Sequence, residues 1–425
     1  MFKALSIFFR LMFYHLFPYM ILCLIFNSSF FSNVITDKIN LSKFIYLNVN
    51  KCIIIGAGPA GLTFAWHAAR KGLNVTVYEG RKVFATKPCG EALAGDSLSV
   101  LPFKIGYMYK WILSPMRFVE LYYNGRYYRT IKSPFGENGY IINKRLFLQE
   151  LADIVEKEGA KIEMGKFFKP SLDDADLIVD ASGYLTASRN YLNLRELYNK
   201  EYRNIPVLRD YAESNGILKE GYLLIDLLDR GYFWIFPYGK DTYNIGIGGL
   251  YSGEELRKIY EKKINQFELK LIKNTRQGAS VSIGGIISNQ RIGKYYIIGE
   301  AAGFVMPTTG EGIRFSILSA YEYFNNNSLL KNIRKRIQFN AKLLRLAIEL
   351  DDKLKSKLIS QAPEDLIMVF LGEKSVSTND IIKFLSVFSR NLSTSLQRSL
   401  YSIVQFLISN KVDTKKYVLN SNVKH

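Results

Sequence analysis

Few of the usual catalytic side chains are available in this chain. It has three histidines, His15, His67 and His425, and three cysteines, Cys23, Cys52 and Cys89. The histidines fall in an apolar run, on the first helix of a glycine-turn unit and at the last residue. A Ser-His-Asp triad or a histidine metal site therefore has almost no material, and no metal is expected. No two cysteines form a C-x-x-C pair, which argues against a zinc knuckle or a disulfide framework and for a reducing, cytoplasmic compartment. Any demanding chemistry must come from a bound cofactor, with carboxylates, tyrosines and Cys89 in support.

Two glycine-rich stretches could hold such a group. The first is Gly56-Ala57-Gly58-Pro59-Ala60-Gly61, with Glu79 about 20 residues further on. Glycines at this spacing let the backbone approach a pyrophosphate, and the following helix turns its positive end toward that charge. Glu79 would accept from the adenosine ribose hydroxyls, and Arg81, which closes the unit, joins it as a candidate cofactor contact. This pattern implies a dinucleotide without choosing between NAD and FAD. The second stretch, GEAAGFVMPTTGEGI over residues 299–313, sits between an apolar run, Tyr295 to Ile298, and a helix-like run, Arg314 to Phe324. Its small residues suggest that a ligand comes close to the backbone.

The elements that must position these stretches can be read from periodicity. Lys51 to Arg81 reads strand, glycine turn, helix, strand. Phe118 to Lys132 reads as two strands around an Asn124-Gly125 hairpin turn. A helix is expected from about Lys144 to Glu158, followed by the strand-like runs KIEMG and DLIVDASG, and antiparallel strands from about Gly221 to Gly249. From about Arg314 onward the period is mostly helical. The expected fold is α/β: a Rossmann-type domain with an inserted antiparallel β-sheet domain and a helical C-terminal region. The cofactor domain is drawn over 49–115, 140–190 and 285–325, the inserted domain over 116–139 and 191–284, and the helical region over 326–425.

The chain has 425 residues and a formal net charge of +19. An AT-rich coding sequence would write the same excess of Lys, Ile, Asn and Tyr, so the charge alone names no partner. Without an arginine-rich tract or a basic recognition helix, nucleic acid is not expected. Residues 1–48 form an apolar extension with no formal charge from Leu11 to Thr36, preceded by Lys3 and Arg10. It reads as an anchor lying in the membrane interface, as a span, or as upstream sequence from a wrong start site with the protein beginning near Val49.

The second glycine stretch resembles the downstream motif of flavoproteins of the para-hydroxybenzoate hydroxylase type. That resemblance implies FAD, with Gly299 and Glu300 at the ribityl chain and the backbone of Gly310, Gly312 and Ile313 near the flavin ring. A helix N-terminus there suits the negative N1/O2 edge of a reduced flavin. Within that superfamily the details are similar to the geranylgeranyl reductases. Hydroxylases tend to carry a His after the Ala-Ala pair, where this chain has Gly303. Lys87-Pro88-Cys89-Gly90 resembles the reductases' Pro-Cys-Gly loop beside the flavin, with Cys89, Gly90 and Ala92 as candidate contacts. Gly231-Tyr232-Phe233-Trp234-Ile235-Phe236-Pro237, followed by Asn244, Gly246 and Gly248, resembles their aromatic strand motif. On a strand Tyr232, Trp234 and Phe236 share one face, and the resemblance implies a wall for a long isoprenoid chain.

The resemblance covers Val49 to about Glu322 and implies saturation of isolated C=C bonds in geranylgeranyl chains of archaeal ether lipids or related isoprenoids. One proton and one hydride equivalent would add across the double bond in a dry, apolar site, with Cys89 as the candidate for proton delivery. Ferredoxin or NADPH would be the electron donor, because no second G-x-G-x-x-G follows a strand in a βαβ unit. The enzyme is expected to be cytoplasmic and peripheral at the membrane. Four departures from the pattern stand out. Glu300 replaces an Asp, Ser182 precedes Gly183 in the middle motif, Glu91-Ala92 stands where glycines are common, and an expected Arg falls on Lys144, with Arg145 beside it. A flavin monooxygenase of an apolar or aromatic substrate, and a weakly active flavin- or lipid-binding paralogue, are the competing readings.

Overall fold

The computed structural model describes residues 49–104, 106–133, 135, 139–169, 174–185, 187, 204–325, 328–349, 352–362, 364 and 367–368. The apolar extension over 1–48, and the part of the expected helical region beyond 368, lie outside the described residues.

The chain runs through β1 (Lys51–Ile55), α1 (Pro59–Arg70), β2 (Asn74–Glu79), β3 (Ala92–Leu93), β4 (Ile112–Pro115), β5 (Phe118–Tyr123), β6 (Arg126–Lys132) and β7 (Tyr140–Ile142). It continues with α2 (Lys144–Lys157), β8 (Lys161–Met164), β9 (Leu177–Asp180), β10 (Asn204–Glu213), β11 (Tyr222–Leu228), β12 (Gly231–Gly239) and β13 (Thr242–Gly249). Then follow α3 (Gly253–Gln266), β14 (Lys270–Leu271), β15 (Gln277–Ser282), β16 (Arg291–Ile292), β17 (Tyr295–Ile297), α4 (Ile313–Phe324), α5 (Ser328–Glu349) and α6 (Asp352–Gln361).

Six strands form the first sheet in the order β16-β17-β9-β1-β2-β8, parallel except for the β16–β17 pair. β1 has parallel neighbours on both sides, with Ile54 opposite Val77 and Val179. Burial on both faces is why it reads as an unbroken apolar run. Pro59 opens α1, where its missing N–H would have no helical partner anyway. Asn143 caps α2, its side chain accepting from the Leu146 N–H at 3.1 Å.

The second sheet runs β14-β10-β13-β12-β11-β5-β6, with β15 also pairing β10. It is antiparallel except where β11 meets β5 in parallel, Tyr222 opposite Phe118. The β5–β6 turn has positive φ at both Asn124 (49°) and Gly125 (85°), the conformation whose twist matches a two-residue hairpin. Alternation along β12 sorts its side chains. Phe233 and Ile235 pack with Tyr260 and Ile264 of α3 on one face. Trp234 and Phe236 share the opposite face with Phe339 and Leu343 of α5 and Ile359 of α6. α6 is tied down by Tyr123, whose hydroxyl donates to Asp352 at 2.7 Å, and Tyr128, which donates to Ser356 at 3.1 Å. Strands β3, β7 and β4 make a small third sheet. Among the described residues no helix is long and apolar enough to cross a membrane.

Candidate functional site

The turn between β1 and α1 is built so that only glycine fits at two of its three positions. Gly56 has φ +103°, and its N–H donates to the Tyr78 carbonyl at 2.7 Å. A Cβ on Gly61 would stand 1.9 Å from the Gly56 carbonyl oxygen. Gly58 is different: a Cβ there would meet nothing within 4 Å, so its bare backbone faces open space at the start of α1. Glu79 reaches back from the end of β2 and accepts from the Ala57 N–H at 3.0 Å and the Arg81 N–H at 2.8 Å. The Arg81 side chain itself is exposed. Ala60 is buried, and a Cβ on Gly299 would come within 2.8 Å of its methyl. Ala60 thus brings the two glycine stretches, more than two hundred residues apart in sequence, against each other.

The second stretch starts with a 3₁₀ turn, Gly299–Ala302, and closes on Gly303 at φ +82°. A Cβ on Gly303 would lie 1.9 Å from the Gly285 carbonyl oxygen, so a His could not occupy this position without moving backbone. The Glu300 carboxylate accepts from the Ser282 N–H at 3.0 Å and pairs with Lys87. Beyond the turn the loop folds on itself, the Gly310 N–H donating to the Met306 carbonyl at 2.8 Å, before Gly312 opens α4.

Two cavities meet between these parts. The larger, about 190 Å³, is walled by Cys89, Gly90, Lys144, Glu300, Gly310, Gly312 and Ile313 together with Tyr232 and Trp234 of β12. The smaller, about 110 Å³, is lined by Glu91, Ala92 and Phe236, by Glu311, and by apolar side chains that include Val119, Ile225 and Leu227. Cys89, Gly90, Tyr232, Gly310, Gly312 and Ile313 belong to both. Of the first glycine stretch only Pro59 reaches the larger cavity. Gly56, Gly58, Gly61, Glu79 and Arg81 surround the turn beyond it. Lys144 is buried on the cavity wall, but its neighbour Arg145 is exposed and lines neither cavity, because successive helix residues point about 100° apart.

Glycines fit the aromatic wall tightly. Trp234 lies across from Gly246, where a Cβ would come 2.2 Å from the indole. A Cβ on Gly90 would come 2.8 Å from the Phe236 ring. The Trp234 indole N–H donates to Asn244 at 3.0 Å, and the Asn244 amide donates in turn to the Cys89 carbonyl at 2.9 Å. Tyr232 donates its hydroxyl proton to the Thr309 carbonyl. Burial pushes the Tyr232 phenol well above its ordinary range, with Cys89 and Glu311 adding to the shift, so this group keeps its proton.

Glu91 is the residue the sequence did not single out as functional. It is 5% exposed and sits at φ +60°, a conformation that glycine adopts without steric cost. Its carboxylate accepts from Tyr211 at 2.8 Å, from the Asn244 amide at 2.9 Å and from the Lys144 N–H at 3.1 Å. It thus ties the Cys89 loop to β10, to β13 and to the start of α2. The one clue in the sequence was an acid standing where glycine is common in the resembled motif. Desolvation, and then the nearby Glu91, push the Tyr211 phenol upward. Among the described residues no group of three or more His, Cys, Asp or Glu side chains could hold a metal ion.

Comparison with known proteins is consistent with this geometry. The NAD(P)-binding Rossmann-like domain family matches residues 54–87. The chain is 28% identical over 304 residues to digeranylgeranylglycerophospholipid reductase 2 of Methanosphaera stadtmanae, covering 63% of this chain and 75% of that protein. It is 25% identical over 303 residues to a menaquinone reductase of Mycobacterium tuberculosis, covering 62% and 73%. Among solved structures, a geranylgeranyl bacteriochlorophyll reductase-like protein from Thermoplasma acidophilum superposes with a TM-score of 0.64 at 18% identity, over 84% of this chain and 100% of that one. At that identity the likeness is one of fold.

Proposed function

We infer that this chain is an FAD-dependent reductase of the geranylgeranyl reductase type, saturating isolated C=C bonds in the geranylgeranyl chains of isoprenoid lipids. The observation that carries the reading is a convergence. The second glycine stretch, the Cys89-Gly90 loop and the Tyr232-Trp234-Phe236 face line two adjoining, mainly apolar cavities directly beyond a dinucleotide-type turn.

The residues present fit FAD. The open backbone at Gly58 leaves room for a pyrophosphate at the positive end of α1. Both Glu79 oxygens already accept one backbone N–H each and keep lone pairs for ribose hydroxyls. Glu300 would hold the ribityl chain, and the N–H groups at the start of α4 would face the flavin ring. When bound, FAD supplies the hydride equivalent that one alkene carbon receives.

The chain's own residues do the rest. Tyr232, Trp234 and Phe236 would wall the alkene off from water and turn aromatic faces toward positive charge developing on the more substituted carbon. Cys89 Sγ would hold the proton that the other carbon receives. Tyr232 is a poor donor for that step because its proton is committed to Thr309. Glu91 would act as a positioning residue, fixing the loop that carries Cys89. An external reductant, ferredoxin or NADPH, would restore the reduced cofactor, and peripheral attachment would bring the site to a substrate held in a bilayer.

The test is mass spectrometry of geranylgeranyl lipids, and of a menaquinone in parallel, after incubation with chemically reduced protein. A gain of two hydrogens per double bond is expected in an isoprenoid chain. A gain of oxygen would instead establish a monooxygenase. Binding without any mass change would establish a non-catalytic paralogue. The fit of Gly303 against Gly285 already weighs against the hydroxylase pattern.

A further inference from the structure

We propose that residues 103–104 and 106–111, together with β4 and the first turn of α2, form a docking surface for an anionic lipid bilayer. This rests on the reading of the chain as a lipid-modifying reductase and goes on to name the surface that meets the membrane. Four large apolar side chains are left in water here: Met108 at 73% exposure, Tyr107 at 60%, Leu146 at 46% and Leu113 at 36%. They belong to one structural neighbourhood. The Tyr107 ring packs on Tyr109 at 4.7 Å, Tyr109 stacks on Trp111 at 5.0 Å, and Trp111 meets Phe147 of α2 at 5.1 Å. The Asn143 N–H at the cap of α2 donates to the Trp111 carbonyl at 2.7 Å. Leu113 lies at the irregularity where β4 slips against β7, opposite no partner in the ladder.

Charge supplies the second argument. Lys104, Lys110 and Arg145 are all exposed around these side chains. No Asp or Glu occurs from residue 97 to 119, nor from 138 to 149. Exposed Tyr, Met and Leu with the cations Lys104, Lys110 and Arg145 beside them in sequence match the apolar interface and negative headgroups of a bilayer. A protein partner of acidic surface would pair the cations but would leave no reason for Met108 to stand so far out. The aromatic stack behind the loop gives the apolar tip a fixed platform, which lowers the ordering cost of insertion.

The experiment uses the full chain with FAD and vesicles of phosphatidylcholine, with or without phosphatidylglycerol. Each lysine beside an anionic surface contributes roughly a five-fold factor to partitioning. A variant carrying K104S, M108S and K110S should therefore bind the anionic vesicles about thirty-fold more weakly or worse, with its flavin absorbance unchanged. The parent should lose binding as salt rises. Residues 1–48 are present in both proteins and contribute equally. A second measurement reads the surface directly: M108C carrying an environment-sensitive fluorophore should shift to the blue on anionic vesicles. A vesicle-bound protein whose probe at 108 stays in water would overturn the proposal. So would a variant that binds vesicles normally but can no longer accept electrons from an acidic donor protein, since the surface would then serve that donor. Neither outcome depends on alkene reduction, so a failed reductase assay leaves the docking result standing, and the converse holds too.

Discussion

Replacing Glu91 separates two opposing effects at one position. Glu91→Ala removes the acceptor for Tyr211, the Asn244 amide and the Lys144 N–H. Each orphaned donor costs about 1–3 kcal/mol. Glu91 lines a cavity that water can enter, and Asn244 keeps its bond to the Cys89 carbonyl, so the low end applies to each. The sum is about 3 kcal/mol of lost stability. Glu91→Gly loses the same bonds but relieves the left-handed backbone at φ +60°, worth about 1–2 kcal/mol. The greater freedom of glycine in the unfolded chain returns about 0.5–1 kcal/mol of that gain. The glycine variant should therefore be more stable than the alanine variant by about 0.5–1 kcal/mol, yet less stable than the parent by about 2 kcal/mol. Urea unfolding followed by tryptophan fluorescence, with midpoints compared at equal slope, measures both differences. An alanine variant within about 0.5 kcal/mol of the parent would show that the Glu91 network holds nothing together. A glycine variant no better than alanine would refute the backbone part of the reasoning.

Three further outcomes are expected. Cys89→Ser should slow alkene reduction by about 10²-fold or more while leaving the flavin spectrum and FAD affinity as they were; an unchanged rate removes Cys89 from proton delivery. Gly58→Ala should change unfolding midpoints little, because the new Cβ meets nothing within 4 Å, but should weaken FAD binding in a titration; retained affinity would place the pyrophosphate elsewhere. His67 is held neutral, its pKa lowered to about 4 from 6.5, first by burial and then by Arg70 and Lys71. The unfolded chain takes up that proton near pH 6.5 and the folded chain only near pH 4. The stabilising contribution is therefore complete above about pH 6.5 and is lost as pH falls through that window. His67→Gln should flatten this part of the stability profile, and an equally steep profile in the variant would assign the loss to other groups.

The sequence was most legible where a ligand or a turn constrains backbone conformation. Gly56, Gly61, Gly303 and the Asn124-Gly125 pair are residues whose φ values or close contacts tolerate little else, and their types announced the glycine turn, the downstream motif and the hairpin. Periodicity placed α2 and the three strands β11, β12 and β13, because a side chain on a strand or helix has only a few directions in which to point. The same alternation put Tyr232, Trp234 and Phe236 on one face.

What the sequence did not contain were pairings made across long separations. The parallel meeting of β11 with β5 depends on a whole sheet closing, and nothing local specifies it. Lys144 facing the cavity while Arg145 faces water was decided by the angle at which α2 packs, which two adjacent basic residues cannot reveal. Glu91 is the sharpest case. As a letter it was a mild irregularity in a glycine-prone loop. Folding turned it into the shared acceptor of three donors drawn from β10, β13 and α2. Local sequence encodes which conformations each residue can tolerate. Only the tertiary structure decides which distant groups a buried carboxylate will meet, since a polar atom removed from water takes whichever partners the fold delivers.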